Sequence, residues 1–260
     1  MALMQVSFFS EALGLSTQMN VILPQQTRGQ IGMEGRAASG KTPVLYLLHG
    51  MSDDHSIWLR RTSIERYVAD MGLAVVMPTT HLGWYTDMAH GNRYWEFVSE
   101  ELPKICHSFF NGLSDRREDT FAAGLSMGGY GALKLGLCAA GKFAAVASLS
   151  GAVGVCSKYD HHDNDNGTFW TDIFGPADKM PGSENDLFTQ AEVLKASGKP
   201  LPKIYQWCGT EDFLYDQNVK MRDHLQALGY DVTYEESPGD HQWKYWDEKI
   251  QTILKWLPLK

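Results

Sequence analysis

Short runs of mainly apolar residues alternate with longer amphipathic stretches along most of the chain. The runs at residues 44–48, 74–78 and 145–150 are typical of strands that are buried on both faces of a parallel sheet. We predict two further strands at residues 203–209 and 232–235. Strands that alternate with helices predict an α/β fold, with a mostly parallel central sheet and helices on both of its faces.

The first residues of the chain follow a different pattern. Residues 17–24 alternate between polar and apolar side chains, as expected of a strand with one half-buried face, and residues 5–9 precede them across a turn that contains Gly14. We therefore predict an antiparallel pair of strands at one edge of the sheet. Periodic apolar positions and helix-forming residues predict helices at residues 56–70, 92–110, 132–140, 214–228 and 243–256.

The candidate nucleophile, Ser126, lies between a predicted strand and a predicted helix. Residues 124–128 read Gly-Leu-Ser-Met-Gly, which has the Gly-x-Ser-x-Gly spacing of a nucleophile elbow. Because Gly124 and Gly128 lack a Cβ atom, the strand and the helix can pass close to each other and expose the serine hydroxyl above the sheet. The motif predicts acyl-transfer chemistry through a serine nucleophile.

Two backbone N–H groups are candidates for an oxyanion hole, which stabilises the negative charge of a tetrahedral intermediate. Met127 follows the serine at the start of a helix, where N–H groups have no partner within the helix. Met51 follows His49 and Gly50 after the strand 44–48, where hydrolases with a nucleophile elbow place their second donor. We interpret His49 as a structural residue that fixes this loop.

A serine nucleophile requires a histidine base and an acid that orients it, and in such hydrolases they follow in the order serine, acid, histidine. His241 lies in a Pro-Gly-Asp-His turn after the last predicted strand, and we predict that it is the base. The residues alone leave the acid open. The carboxylates in the right region are Glu211, Asp212, Asp216 and Asp240.

The substrate pocket is expected above the carboxyl ends of the strands, where open α/β sheets bind ligands. Trp84 and Tyr85 are candidate pocket walls because they lie in a loop that follows a buried strand. Residues 151–201 form a long insertion, which we interpret as a short cap. The candidates for acyl-chain contacts in a predicted short helix of this cap are Phe169, Trp170 and Phe174.

Composition and charge limit the classes of partner. The 31 acidic residues outnumber the 23 basic ones, and the basic residues form no block, which argues against nucleic acid or an anionic membrane as a partner. No apolar run approaches the roughly 18 residues of a membrane span. Four cysteines without close pairing, and an N-terminus without a basic leader, indicate a cytoplasmic protein. We expect a small-molecule ester as substrate, and a homo-oligomer is compatible with the sequence.

One tract invites a metal-binding interpretation. Residues 161–167 read His-His-Asp-Asn-Asp-Asn-Gly. If Gly167 were the sixth position of a calcium loop, the twelfth would be Ile173 instead of the required Glu. We therefore predict neither a metal site nor a cofactor.

Several segments resemble those of the esterase D-like family of α/β-hydrolases, which includes the S-formylglutathione hydrolases. The resemblance is closest to the small bacterial tributyrin esterases and spans nearly the whole chain. It implies the α/β-hydrolase fold, and it implies that Asp212, in a Gly-x-x-Asp-x-Leu segment, is the acid of the triad. Residues 49–52 read His-Gly-Met-Ser where the formylglutathione hydrolases have Ser-Gly-Leu-Thr. The segments that carry the resemblance are residues 49–51, 124–133, 209–214 and 238–241.

We therefore expect residues 1–260 to form one domain, a serine carboxylesterase that hydrolyses short-chain acyl esters through Ser126, His241 and Asp212. The alternatives are an S-formylglutathione hydrolase and a feruloyl or acetyl-carbohydrate esterase. Outside the enzymes, the alternative is a catalytically inactive binding module. The binding module is disfavoured because the chain retains both Ser126 and His241.

Overall fold

The computed structural model describes residues 1–155 and 167–259. In this part of the chain, eight strands form one sheet in the order β1-β2-β4-β3-β5-β6-β7-β8. Strands β3 to β8 run parallel, whereas β2 is antiparallel to both β1 and β4. The predicted α/β fold and its antiparallel edge pair are thus confirmed. The strands are β1 Ala2–Ser10, β2 Leu15–Leu23, β3 Val44–Leu48, β4 Ala74–Pro78, β5 Thr120–Leu125, β6 Ala145–Leu149, β7 Lys203–Gly209 and β8 Val232–Ser237.

Helices cover both faces of the sheet. Even the 14-residue helix α9 is too short to cross a bilayer, and no other helix in the described ranges is long and apolar enough to do so. Single 3₁₀ turns occur at Arg117–Asp119 and Ala177–Lys179. The described α-helices are α1 Ile57–Arg61, α2 Ile64–Tyr67, α3 Tyr94–Glu96, α4 Leu102–Phe109, α5 Met127–Cys138, α6 Phe169–Phe174, α7 Leu187–Ala196, α8 Tyr215–Ala227 and α9 Trp243–Trp256.

The sheet separates two apolar cores. Successive side chains of a strand point to opposite faces, so Tyr46 of β3 belongs to one core and its neighbours Leu45 and Leu47 belong to the other. Helices α4, α5 and α8 bury their apolar residues in the first core, which we name the α5 face. Helices α1, α2 and α9 bury theirs in the second core, which we name the α9 face.

The predicted helix 56–70 is in fact two short helices, α1 and α2. Thr62 interrupts it with an extended backbone, φ −136° and ψ 174°. Its Oγ1 atom donates to the Trp58 carbonyl at 2.6 Å and accepts from the Ile64 N–H at 3.1 Å. A side chain that satisfies backbone groups in this way competes with the helix, and periodicity alone does not reveal it.

The predicted helix 92–110 is continuous but irregular. It begins with α3, passes through a π-helical turn at Phe97–Glu101 and ends with α4. Pro103 has no N–H group to donate to the Ser99 carbonyl four residues earlier. That carbonyl accepts from the Lys142 ammonium at 2.8 Å instead. The irregular turn therefore has an identifiable cause and a replacement hydrogen bond.

The described part of the proposed cap contains helices α6 and α7. Helix α7 begins after Asp186, whose carboxylate accepts from the Phe188 N–H at 3.2 Å and so caps the helix. The sequence pattern did not predict α7. Residues 161–166 of the rejected calcium loop lie outside the described residues. Within residues 1–155 and 167–259, no group of three His, Cys, Asp or Glu side chains is placed to hold a metal ion.

Candidate active site

Ser126 lies in a strained turn between β5 and α5. Its backbone has φ 53° and ψ −118°, a positive-φ conformation that residues with a Cβ atom rarely adopt. The Ser126 N–H donates to the Leu149 carbonyl at 2.9 Å, and the Ser126 carbonyl accepts from the N–H groups of Tyr130 and Ala152 at 3.1 and 3.0 Å. Bonds to the helix and to the loop after β6 therefore hold the strained turn.

Glycine is required on both sides of Ser126. A Cβ atom on Gly124 would lie 2.3 Å from the Gly128 carbonyl oxygen, and one on Gly128 would lie 2.6 Å from the carbonyl oxygens of Leu48 and His49. Strand β5, helix α5 and the end of β3 thus approach more closely than a larger residue permits. Helix α5 begins at Met127, the residue that the turn predicts as the start of a helix, and it ends at Cys138 within the predicted helix-forming segment 132–140. Glycines in its first turns weaken the helix signal between residues 127 and 132.

Asp212 and His241 are in direct contact. The Asp212 Oδ2 atom lies 2.8 Å from His241 Nδ1, and Asp212 Oδ1 accepts from the Leu214 N–H at 2.9 Å. Burial raises the pKa of Asp212, but the hydrogen bonds from His241 and Leu214 outweigh it and hold that pKa below its usual value. An ionised Asp212 accepts a hydrogen bond from the Nδ1–H group of His241, which leaves Nε2 of the neutral imidazole without a proton.

The other three candidate acids have different surroundings. The Glu211 carboxylate accepts from the Gly239 N–H, and the Gly239 carbonyl accepts from the Glu211 N–H at 3.0 Å. Glu211 therefore fixes the turn that carries His241 without contacting the imidazole. Asp240 accepts from the side chain of Gln242, and Asp216 is exposed in the first turn of α8. Among the described carboxylates, Asp212 is the one that contacts His241.

A cavity of about 560 Å³ lies above the carboxyl ends of the central strands, and both Ser126 and His241 line it. Trp84, Phe169 and Trp170 form an aromatic wall of the cavity, and this wall packs against the core of the α5 face. The Trp84 and Trp170 ring centroids are 5.0 Å apart, and those of Phe169 and Trp170 are 5.1 Å apart. The structure thus brings Ser126, His241 and three of the five predicted pocket residues together.

Tyr85 and Phe174 require a correction, because neither belongs to the cavity wall. Tyr85 is completely buried, and its hydroxyl donates to the His49 carbonyl at 2.8 Å. Phe174 stacks on Trp170 with an interplanar angle of 11° and also contacts Trp84. Both residues support the wall from behind. Trp84 and Tyr85 have positive φ angles of 49° and 51°, a rare backbone conformation that the sequence did not indicate.

The loop after β3 holds the predicted oxyanion donor Met51 at the cavity wall. His49 lies buried behind it, and its Nε2 atom accepts from the Thr80 N–H at 2.9 Å. The imidazole proton is therefore on Nδ1, which donates to the Gly50 carbonyl at 2.7 Å. Burial lowers the pKa of His49 to about 4. Met127, the second predicted donor, is the first residue of α5, and its side chain is buried.

The sequence pattern missed part of the cavity. Asp53 lines it two residues after Met51, and burial together with the neighbouring Asp54 raises the pKa of Asp53 to about 6. Trp243 and Trp246 line the wall beside His241 from the first turns of α9. Their spacing of three residues places them on the same side of a helix, and this signal was available in the sequence.

The family model described as "Putative esterase" matches residues 10–257. The chain belongs to this esterase family. It is 32% identical to an acetyl esterase of Caldicellulosiruptor saccharolyticus, over 99% of this chain and 98% of the relative. Two solved structures from Staphylococcus aureus each align with this protein over 98% of both chains. A fluorophosphonate-binding serine hydrolase has a TM-score of 0.87 and 34% identity, and an S-formylglutathione hydrolase has 0.85 and 33%. This esterase is thus a carboxylic ester hydrolase with the α/β-hydrolase fold.

Proposed function

We propose that this esterase hydrolyses short-chain acyl esters through an acyl-enzyme on Ser126. The observation that carries the proposal is the 2.8 Å contact of buried Asp212 with His241, which lines the same cavity as Ser126. Ser126 Oγ attacks the ester carbonyl while His241 Nε2 takes its proton and then returns it to the leaving alcohol. Water activated by the same imidazole then hydrolyses the acyl-enzyme. Asp212 holds the imidazole in the required tautomer.

The negative charge of each tetrahedral intermediate needs donors close to Ser126. We assign this role to the N–H groups of Met51 and Met127. Met127 supports the assignment because it is the first residue of α5, where N–H groups are unpaired and the helix dipole is positive. Met51 supports it because buried His49 fixes the preceding carbonyl of Gly50, and so the direction of the peptide group that joins Gly50 to Met51.

The aromatic wall formed by Trp84, Phe169 and Trp170 is our candidate acyl site. Phe174 packs behind Trp170, so the wall is two rings deep at this point. In this arrangement residues 151–201 act as a cap of a single domain, because they supply Phe169 and Trp170. A compact wall of this kind favours acyl chains of a few carbons over long ones.

Labelling with a fluorophosphonate probe tests the nucleophile. We expect wild-type protein to be labelled, and we expect Ser126→Ala to lose both the label and nearly all turnover of p-nitrophenyl acetate, because the nucleophile is gone. Ser52→Ala is the matched control, since Ser52 lines the same cavity and also has a positive φ angle. Persistent labelling of Ser126→Ala, or loss of labelling in Ser52→Ala alone, would overturn the assignment.

S-formylglutathione hydrolysis is the second candidate. It is favoured by the 33% identity to the S-formylglutathione hydrolase structure over 98% of both chains. Comparison of kcat/KM for S-formylglutathione and for the best p-nitrophenyl ester distinguishes the two. A value for the thioester that is at least about tenfold higher would make it the preferred substrate class.

We further infer that the enzyme acts in the cytoplasm on a small-molecule ester. Cys106, Cys138 and Cys208 are free thiols in the described chain, and free thiols are usual in reducing compartments. Fractionation of the source cells, with an antibody against the protein, tests the location. Recovery in the extracellular or membrane fraction would contradict it.

A further inference from the structure

Asp53 places a carboxyl group in the wall of the cavity that contains Ser126 and His241. It is half-buried, and its Oδ2 atom lies 3.4 Å from the position that a Cβ atom on Gly50 would occupy. Among the described residues no Lys or Arg lines the cavity, and no cation lies within 4 Å of this carboxylate. Arg60 and Arg61 attract Asp53 from outside the cavity wall, so Asp53 is the negative charge that faces the cavity on this side when it is ionised.

A chain of aromatic contacts beside the cavity shows on which side of the cavity Asp53 lies. Trp58, in the helix that follows Asp53, packs edge-on against Trp243 with ring centroids 5.1 Å apart. Trp243 contacts Trp246 at 5.4 Å, and Trp246 contacts His241 at 4.8 Å. These rings belong to the α9 face, whereas the aromatic wall proposed for the acyl chain belongs to the α5 face. Asp53 is thus on the His241 side of the cavity.

His241 is the residue that protonates the departing alcohol in the proposed mechanism, so its side of the cavity receives the leaving group. We propose that Asp53 selects the charge of this leaving group, favouring cationic and neutral alcohols over anionic ones. The inference rests on the proposed hydrolysis at Ser126. A unit charge roughly 8 Å from a carboxylate, at an effective dielectric constant of about 20, changes relative binding roughly thirtyfold.

The neighbouring Asp54 provides a matched control. Its Oδ1 atom accepts from the N–H and the hydroxyl of Ser56 at 2.8 and 2.6 Å, and it is not part of the cavity wall. Asp54→Asn removes the same charge from the same loop and keeps an oxygen that can accept both hydrogen bonds. Any effect found in Asp53→Asn but not in Asp54→Asn therefore depends on the position of the charge.

The test uses two pairs of acetyl esters in which the alcohol changes charge but hardly changes shape. One pair is acetylcholine and 3,3-dimethylbutyl acetate, and the other is 4-acetoxybenzoate and 4-acetoxybenzamide. At pH 8, where Asp53 is ionised because its pKa is about 6, wild type and each variant are compared by the ratio of kcat/KM within each pair. The ratio cancels any change in turnover that both esters share.

We expect Asp53→Asn to lower the cation-to-neutral ratio and raise the anion-to-neutral ratio, each by about tenfold or more. Asp54→Asn should change either ratio by less than about threefold. Unchanged ratios in Asp53→Asn, or equal changes in both variants, would overturn the inference while hydrolysis at Ser126 still stood. If Asp53→Asn does not fold, raising the salt concentration from 0.02 to about 1 M in wild type should move both ratios in the same directions, and constant ratios would refute the selection. Turnover of the neutral esters that survives in Ser126→Ala would instead refute the proposed function.

Discussion

The Asp212 carboxylate is completely buried and lies 2.8 Å from Nδ1 of His241, whose side chain remains 20% exposed. Both Asp212 oxygens are occupied by the protein, one by His241 and the other by the Leu214 N–H. A carboxylate held in this way can orient the imidazole but has no access to solvent protons. In the proposed mechanism, proton transfer to and from the substrate therefore falls to His241 alone.

Replacement of Asp212 should be far more damaging than replacement of the adjacent acid. We predict that Asp212→Asn lowers kcat by roughly 10³- to 10⁴-fold, because the amide favours the wrong histidine tautomer. The measurement is steady-state hydrolysis of p-nitrophenyl acetate, with circular dichroism to verify folding.

Glu211→Gln is the control for that experiment. The amide oxygen can still accept from the Gly239 N–H, so we expect kcat within about threefold of wild type. If Glu211→Gln lost activity and Asp212→Asn did not, Glu211 would be the acid that orients His241.

The aromatic wall predicts a short acyl optimum. We expect kcat/KM for p-nitrophenyl esters to peak between the acetyl and hexanoyl esters and to fall by the decanoyl ester, because a buried methylene contributes roughly 0.8 kcal/mol only where it meets an apolar wall. Trp170→Ala should move the optimum to longer chains. Phe174→Ala should move it less, since Phe174 lies behind Trp170. A wild-type optimum at decanoyl or above would contradict this interpretation of the cavity.

The close approach at the nucleophile turn predicts that Gly128 does not tolerate a methyl group. We expect Gly128→Ala to destabilise the protein by about 1–3 kcal/mol, because the new Cβ atom would lie 2.6 Å from two backbone oxygens. Gly141→Ala is the control, since no atom lies within 4 Å of the position of its Cβ atom. Thermal unfolding of both variants tests the prediction, and equal melting temperatures would disprove it.

Buried His49 predicts a dependence of stability on pH. Its pKa falls from 6.5 to about 4 in the folded protein, so between these values the unfolded chain binds a proton that the folded protein does not. This contribution to stability is complete above pH 6.5 and is lost as the pH falls towards 4, by about 3 kcal/mol in total. The pKa of Asp212 is lowered from 3.8 in the folded protein. Its contribution to stability is therefore lost only as the pH falls below 3.8, outside the range in which His49 acts.

Urea unfolding at pH 8 and at pH 5 measures the His49 effect. Asp53, whose pKa is raised to about 6, gains stability over the same range and partly offsets the His49 effect, but it is present in both proteins. The free energy of unfolding should therefore fall further between pH 8 and pH 5 in wild type than in His49→Asn, which has no imidazole to titrate. Equal falls in wild type and His49→Asn would show that another group causes the pH dependence.

The sequence predicted the features of this protein that depend on local periodicity. Strand β7 and helix α9 have the predicted bounds, because buried runs and apolar spacing mark them directly. The break at Thr62 was missed, because it depends on a side-chain hydrogen bond. The first turns of α5 carry little helix signal of their own, because packing there offsets the poor helix propensity of their glycines.

The pocket residues were harder to predict than the order of serine, acid and histidine. Trp84 and Tyr85 are adjacent in the same loop, yet one lines the cavity and the other is buried beneath it. Their positive φ angles decide which ring points where, and such angles are imposed by the surrounding fold. Asp53 was missed for a related reason, since its exposure to the cavity depends on how the loop after β3 turns.

The two sides of the cavity pack against different apolar cores. The wall proposed for the acyl group stands on the core of the α5 face, and the side that holds Asp53 and His241 stands on the core of the α9 face. Substitutions in cores separated by a sheet have few shared neighbours, so their effects tend to add independently. With the acyl group and the alcohol on the two sides proposed above, mutation can retune the preferred acid of an ester without altering the preferred alcohol, which gives a single scaffold two separate routes to new specificities.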